Sequence, residues 1–149
     1  MADLTTTISE SVSINGKARG NTISQTITGI VDAHETTITC PHSQTTTIAS
    51  FADNVYDSAG ALDAQGVRYL RVSNLSSTID IELAVVGAAT LYQVEVKAGY
   101  SHVLCRTDDV MLSEADTSPS FGTMADVASL QVRPTTASDC QVELFVAIA

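Results

Sequence analysis

The sequence predicts an all-β protein, an antiparallel β-sandwich of jelly-roll-like form that begins with an N-terminal β-hairpin or extended arm. Apolar residues alternate with serine and threonine along much of the chain, and this period of two is typical of strands with one buried face. Turn residues separate the alternating runs at the spacing of short sandwich strands. Apolar residues do not recur at helical spacing, so no long helix is expected.

The first strand ends in a strong turn signal. Leu4, Ile8, Val12 and Ile14 fall on one face and hydroxyl residues fall on the other. The dipeptide at 15–16 is Asn-Gly, which tolerates the two positive φ angles of a type I′ hairpin turn. This stretch therefore predicts a strand that runs directly into a hairpin.

A second hydroxyl-rich strand follows a loop predicted over residues 17–21. Ile23 and Ile27 alternate there with threonine and serine. We predict that residues 1–33 form a hairpin or arm and that residues 34–149 form the sandwich body. The sequence leaves open whether the first two strands join the core sheet or pair with a neighbouring subunit.

The body is predicted to contain short strands and three hairpins. The predicted strands are 36–40, 45–51, 68–72, 79–85, 92–96, 101–105, 128–133 and 141–148. Three hairpins are predicted, which pair 68–72 with 79–85, 92–96 with 101–105, and 128–133 with 141–148. One helical turn is predicted within 124–129. Residues 54–65 and 113–121 are predicted as loops, and their length is typical of functional loops.

Charge and composition exclude several classes of partner. The chain has 149 residues, the length of one domain with a real core, and its net charge is −10. That charge repels phosphates, so direct nucleic-acid binding is not expected. The N-terminus shows no export signal and no stretch approaches a membrane span, so we expect no membrane association. Only 16% of the residues are charged, and hydroxyl groups supply much of the surface polarity.

No constellation in the sequence predicts catalysis, a metal site or a cofactor, and we expect none. Cys40 and His42 could supply two metal ligands, but paired ligand motifs at zinc spacing are missing. The acidic loops do not match a calcium-loop spacing. Ser101 lies in a Gly-x-Ser context that lacks the second glycine of a nucleophile elbow. The three cysteines are expected to be buried free thiols.

Three segments resemble small β-sandwich virion proteins of tailed bacteriophages. They are Tyr69-Leu70-Arg71-Val72-Ser73-Asn74-Leu75, Tyr92-Gln93-Val94-Glu95-Val96-Lys97-Ala98-Gly99, and the pair Leu130-Gln131-Val132-Arg133-Pro134 and Gln141-Val142-Glu143-Leu144-Phe145-Val146. The resemblance covers most of residues 67–149. It implies a capsid cement or decoration protein, located in the virion and made in the host cytoplasm. It also implies binding to the major capsid protein and a homo-oligomer, with a trimer as one arrangement.

Two alternatives remain beside the cement protein. One is a tail- or fibre-associated module that contacts a host receptor or glycan through the loops 54–65 and 113–121. The other is a small enzyme of the cupin type, which would need clustered histidines that the sequence does not show. The candidate interface residues are Leu4, Ile8, Val12, Ile14, Ile23, Ile27, Tyr56 and Tyr100.

Overall fold

A computed structural model describes residues 1–54, 59–88, 91–112 and 122–149, and the regular structure in these ranges is β-strand throughout. The strands are β1 (Ala2–Ser9), β2 (Val12–Ile14), β3 (Lys17–Arg19), β4 (Thr22–Ile30), β5 (Asp32–Cys40), β6 (Thr46–Ala52), β7 (Leu62–Asp63), β8 (Val67–Asn74), β9 (Ile81–Gly87), β10 (Leu91–Val96), β11 (Ser101–Leu104), β12 (Val127–Pro134) and β13 (Cys140–Ile148). The described residues contain no helix that is long and apolar enough to cross a membrane.

The body consists of two sheets in jelly-roll order. One sheet has the order β11-β8-β13-β5, and the other has the order β10-β9-β12-β6 with the short β7 added parallel to β6. Apart from β9 and β10, consecutive long strands of the body lie in opposite sheets, which is the jelly-roll arrangement. The predicted all-β, antiparallel, jelly-roll-like sandwich is confirmed.

The three hairpins predicted in the body are wrong. β8 and β9 lie in opposite sheets, and so do β10 and β11, and β12 and β13. Among the described strands of the body, β9 and β10 are consecutive in the chain and pair with each other antiparallel. Alternation shows that a strand has one buried face, but both sheets of a sandwich offer such a face, so the pattern does not select the partner strand.

The N-terminal strands form one long hairpin. β1 pairs with β4 and β2 with β3 in a common register, and the Glu10 N–H donates to the Asn21 carbonyl at 2.8 Å between the two ladders. Asn15 and Gly16 have φ angles of 52° and 75°, as a type I′ turn requires, so the turn prediction is confirmed. The predicted loop over 17–21 is wrong, because the two-residue turn lets β3 begin at Lys17.

The predicted helical turn within 124–129 is also wrong. Ala125 forms an isolated antiparallel bridge with Met111, and β12 begins at Val127. Val127 is buried in the sandwich, so its side chain is held by the core rather than by a local helical turn.

The core lies between the two sheets and is built from branched aliphatic side chains. The largest fully buried ones are Leu70, Ile81, Leu83, Leu130, Leu144, Val67, Val72, Val85, Val127, Val132, Val142 and Val146. Each such side chain contributes about 1.5–3 kcal/mol when it is removed from water. The body therefore has a closed apolar interior that does not depend on the N-terminal hairpin.

Asn74 joins the two sheets at one end of the sandwich. Its amide nitrogen donates to the carbonyls of Ile79 at 2.8 Å and of Val96 at 3.1 Å, and its side-chain oxygen accepts the Ser76 N–H at 3.0 Å. The residue is 2% exposed, so these bonds replace water for groups that would otherwise be unpaired. One side chain thus fixes the turn after β8 and the end of β10.

We expect Asn74→Ala to lower the free energy of unfolding by about 2–3 kcal/mol, because it leaves buried backbone groups without partners. Chemical denaturation at neutral pH measures this change. Ser77→Ala is the matched control, since Ser77 is exposed in the same turn, and it should change stability by less than about 0.5 kcal/mol. Equal effects of the two substitutions would contradict the role assigned to Asn74.

Candidate functional site

The N-terminal hairpin, residues 2–30, is called the arm below, and its two faces differ in chemistry. On one face Leu4 lies opposite Ile27, and Ile8 lies opposite Ile23. On the other face three hydroxyl pairs face each other across the strands, Thr5 with Thr26 at 3.5 Å, Thr7 with Ser24 at 3.0 Å and Ser9 with Thr22 at 3.0 Å. Such cross-strand pairs hold the two strands together and leave the apolar face for other contacts.

The apolar face of the arm is largely open to solvent. Ile8 is 66% exposed and Ile23 is 61% exposed, and Val12 and Ile14 near the turn are at least half exposed. Leu4 and Ile27, closer to the body, are half-buried. Because the register is the same on both sides of the bond between Glu10 and Asn21, these side chains lie on one face of the arm, called the apolar stripe below. Polar pairs interrupt the stripe, and near the turn Val12 and Ile14 lie opposite the cations Arg19 and Lys17. Exposed apolar side chains grouped on one face and bordered by polar ones mark an interaction surface.

The arm is joined to the body mainly at its base. β1 and β4 pair with each other and, within the described residues, with no strand of the body. Val31, between β4 and β5, donates its N–H to the Ile148 carbonyl at 2.9 Å. Each of the two long arm strands therefore keeps one edge of backbone groups free for another chain.

A groove of about 510 Å³ separates the base of the arm from the outer face of the four-stranded sheet. The arm contributes Leu4, Ile8 and Ile27 to its lining. The sheet contributes Tyr69, Val103 and Phe145, together with charged side chains. The base of the apolar stripe thus faces a surface of mixed aromatic, aliphatic and charged side chains without closing onto it.

The floor of the groove is an ordered aromatic cluster. The rings of Tyr69 and Phe145 meet edge to face with centroids 6.0 Å apart, and the Arg71 guanidinium lies 5.9 Å from the Phe145 ring centre. Arg71 also forms an ion pair with Glu143 on the neighbouring strand. Edge-to-face rings and a cation over a ring are both favourable arrangements, so these side chains hold one another in place.

Charge is divided unequally between the arm and the body. The arm carries Asp3, Glu10, Lys17 and Arg19 and is neutral overall, so residues 32–149 carry the whole net charge of −10. Both cations lie next to the turn at the tip, and neither forms an ion pair in the part of the chain that the structure describes. The tip is therefore the most cationic part of an otherwise acidic protein.

The structure separates the residues that could have formed a metal site. Cys40 is buried against Cys140, whereas His42 is exposed and contacts the carboxylate of Asp139 at 2.7 Å. The backbone N–H and the ring of His42 both hold the pKa of Asp139 below its usual value. Over the described ranges, no three His, Cys, Asp or Glu side chains are grouped as metal ligands would be. Cys105 is exposed, so the prediction that all three cysteines are buried is wrong for that residue.

A histidine and a tyrosine contact each other in the body. The Tyr92 hydroxyl lies 3.3 Å from His102 Nε2, and both side chains are partly buried. Burial raises the pKa of Tyr92 and lowers that of His102, because each group loses hydration of its charged form. Both residues are therefore held in their neutral forms around neutral pH.

The structure brings together most of the candidate interface residues. Leu4, Ile8, Ile23 and Ile27 share the apolar face of the arm, with Val12 and Ile14 at its tip. Tyr100 is 68% exposed but lies in the connection between β10 and β11 and does not line the groove. Tyr56 lies outside the described residues, as do residues 55–58 of the loop predicted at 54–65 and the whole of the loop predicted at 113–121.

The sequence reasoning missed the floor of the groove. Tyr69 and Arg71 alternate with the fully buried Leu70 and Val72, and Phe145 alternates with Leu144 and Val146. This alternation would have placed the three residues on the outer face of the sheet. Their neighbourhood depends on the pairing of β8 with β13, across more than seventy residues, which a local pattern does not reveal.

Comparison with known proteins found no match: no family model, no curated protein and no solved structure is similar to this chain.

We expect the apolar stripe to bind the dye ANS, whose fluorescence rises on exposed apolar surface. The double substitution Ile8→Thr/Ile23→Thr should lower that fluorescence by about half or more, because it makes the most exposed cross-strand pair polar while keeping β-branched residues. The control Ser11→Ala/Ser13→Ala changes exposed residues of the opposite face that take part in none of the three hydroxyl pairs, and it should leave the fluorescence unaltered. Equal fluorescence of the two variants would show that the dye binds elsewhere.

Proposed function

We propose that this chain is a non-enzymatic structural protein of a bacteriophage particle that binds and stabilises the capsid lattice as a cement or decoration protein. Its partner would be the major capsid protein, and its site of action the virion, after synthesis in the host cytoplasm. The observation that carries the proposal is the arm, an amphipathic hairpin whose apolar stripe is exposed beside a body with its own closed core. An exposed apolar surface of this kind is typical of a protein–protein contact rather than of a catalytic site.

The jelly-roll fold alone does not select this function. Jelly rolls occur in viral capsid proteins, lectins and cupin enzymes, so the fold is compatible with several classes of protein. The cement role rests instead on the exposed stripe and the free strand edges of the arm, together with the resemblance of residues 67–149 to phage virion proteins.

The body would sit across a junction between capsid subunits, and the arm would lie along the shell. The free edges of β1 and β4 can add backbone hydrogen bonds to a neighbouring strand, and Ile8, Ile23, Val12 and Ile14 can be buried at the same contact. A specific contact needs on the order of 1,000 Å² of buried surface. Repetition of the contact over the lattice then raises the overall avidity well above that of one junction.

Cryo-electron microscopy of purified particles of the encoding phage tests the location. Repeated density on the shell between capsomers, fitted by the jelly-roll body, is the expected result. Density confined to the tail or its fibres would overturn the cement role in favour of the tail-associated module. Absence of the chain from particles would exclude both virion roles.

The role of the arm is tested by rebinding the protein to particles that lack it. Ile8→Thr/Ile23→Thr should reduce affinity by about a hundredfold, because two isoleucines buried at an interface contribute about 3 kcal/mol. Ser11→Ala/Ser13→Ala is the control on the hydroxyl face, outside the three cross-strand hydroxyl pairs, and should bind like the unaltered protein. Unchanged melting of both variants would establish that the body remains folded, and equal binding of both would refute the arm as the binding element.

A further inference from the structure

Two of the three cysteines are direct partners across a pair of strands. Cys40 ends β5, Cys140 begins β13, and the two are opposite each other in the ladder. Cys40 is fully buried and Cys140 is 4% exposed, whereas Cys105 is exposed and lies elsewhere. Neither buried thiol takes part in the arm, the groove or any contact proposed above.

The backbone places the two Cα atoms at a distance that a disulfide can span. The Leu75 N–H donates to the Gln141 carbonyl, so the backbone groups of Gln141 point towards β8. Backbone groups of successive strand residues point to opposite sides, so those of Cys140 point towards β5. Cys40 and Cys140 are thus a hydrogen-bonded antiparallel pair, whose Cα atoms are about 5.5 Å apart. Natural disulfides span Cα separations of about 4.4–6.8 Å.

The two side chains also point in the same direction. The neighbours Thr39 and Gln141 are exposed, so both cysteines face the opposite, inner side of the sheet. The thiols are close enough for each to influence the pKa of the other through a hydrogen bond. The Cα separation and the shared face therefore meet two requirements of a cross-strand bridge. The Cβ atoms of a hydrogen-bonded pair lie farther apart than those of a disulfide, so the two strands must draw together by about 1 Å when the bond forms.

We propose that Cys40 and Cys140 form a disulfide when the protein meets a small peroxide oxidant. In the first step the Cys140 sulfur attacks hydrogen peroxide, the O–O bond breaks, and the products are a sulfenic acid on Cys140 and one water molecule. In the second step the Cys40 sulfur attacks the sulfenic sulfur and releases a second water molecule. The two thiols together lose two electrons and two hydrogen atoms, and the peroxide is reduced to two water molecules.

The reaction should be slow at neutral pH. Burial, and then the neighbouring Cys140, raises the pKa of Cys40 to about 11, and burial also raises the pKa of Cys140. The other charged group that acts on Cys140 is Asp139, which disfavours the thiolate further. Because the thiolate is the reactive form, this pair differs from a fast redox sensor and should close over a long exposure.

The bond would fasten the strand that carries the arm. β5 is an edge strand that pairs with β13 alone and follows the arm directly, so the bridge would anchor its far end to the centre of the sheet. It would also close a loop of about 100 residues, a length at which a cross-link strongly restricts the unfolded chain. Formation of the bond does not depend on the proposed function. Only the idea that the bond strengthens the anchorage of the arm in a mature particle rests on the proposed function.

The test uses the variant Cys105→Ser, which leaves the two buried thiols and excludes bridges through the exposed one. After treatment with hydrogen peroxide and unfolding in an alkylating agent, we expect no alkylated cysteine and a mass lower by two hydrogen atoms. The oxidised protein should melt on the order of 10 °C above its reduced form. The additional substitution Cys140→Ala should abolish the cross-link and the shift in melting temperature.

Two alkylated cysteines after prolonged oxidation would overturn the proposal, and so would sulfinic acid on either residue without a bridge. A bridge that lowers the melting temperature would overturn the stabilising role. None of these results depends on capsid particles, so failure here and failure of the cement role are separate outcomes.

Discussion

A two-stranded ribbon has no second layer against which to bury an apolar face, and this constraint separates the arm from the rest of the molecule. The two sheets of the body cover one another's apolar faces, and Leu70, Val85 and Leu130 become inaccessible to water. The arm has the same alternation of side chains but only its own two strands, so Ile8 and Ile23 remain exposed. Isolated hairpins are marginally stable in water, and contacts with another layer are needed to hold them.

The arm meets this constraint in part through local chemistry. The type I′ turn at Asn15-Gly16 sets the register, and the hydroxyl pairs on one face hold the strands together without apolar burial. The groove above Tyr69 and Phe145 shelters only the residues nearest the body. The hydroxyl face thus holds the two strands of the arm together, and the opposite face leaves its apolar side chains available for contacts.

Features that depend on neighbouring residues could be predicted from the sequence, and features that depend on distant pairing could not. The turn at Asn15-Gly16 and the strand character of most segments follow from local propensity and a period of two. The assignment of β8 and β9 to one hairpin failed, because strands adjacent in the chain can cross between sheets without any change in their pattern. The candidate stripe was found because its members lie close together in the chain, on the two sides of one hairpin. The pairing of Cys40 with Cys140 and the cluster around Phe145 need the sheet order, which local patterns do not contain.

The root of the arm also determines how the molecule would resist a mechanical force. Val31 bonds to Ile148, and the next nine residues pair continuously with β13, which is itself flanked on its other side by β8. Tension applied to the arm along the axis of β5 would strain the rungs of this ladder together, in shear, rather than opening them one after another. The attachment point thus has the geometry of a mechanical clamp, in which a force on the arm is shared by the whole length of β5 and β13.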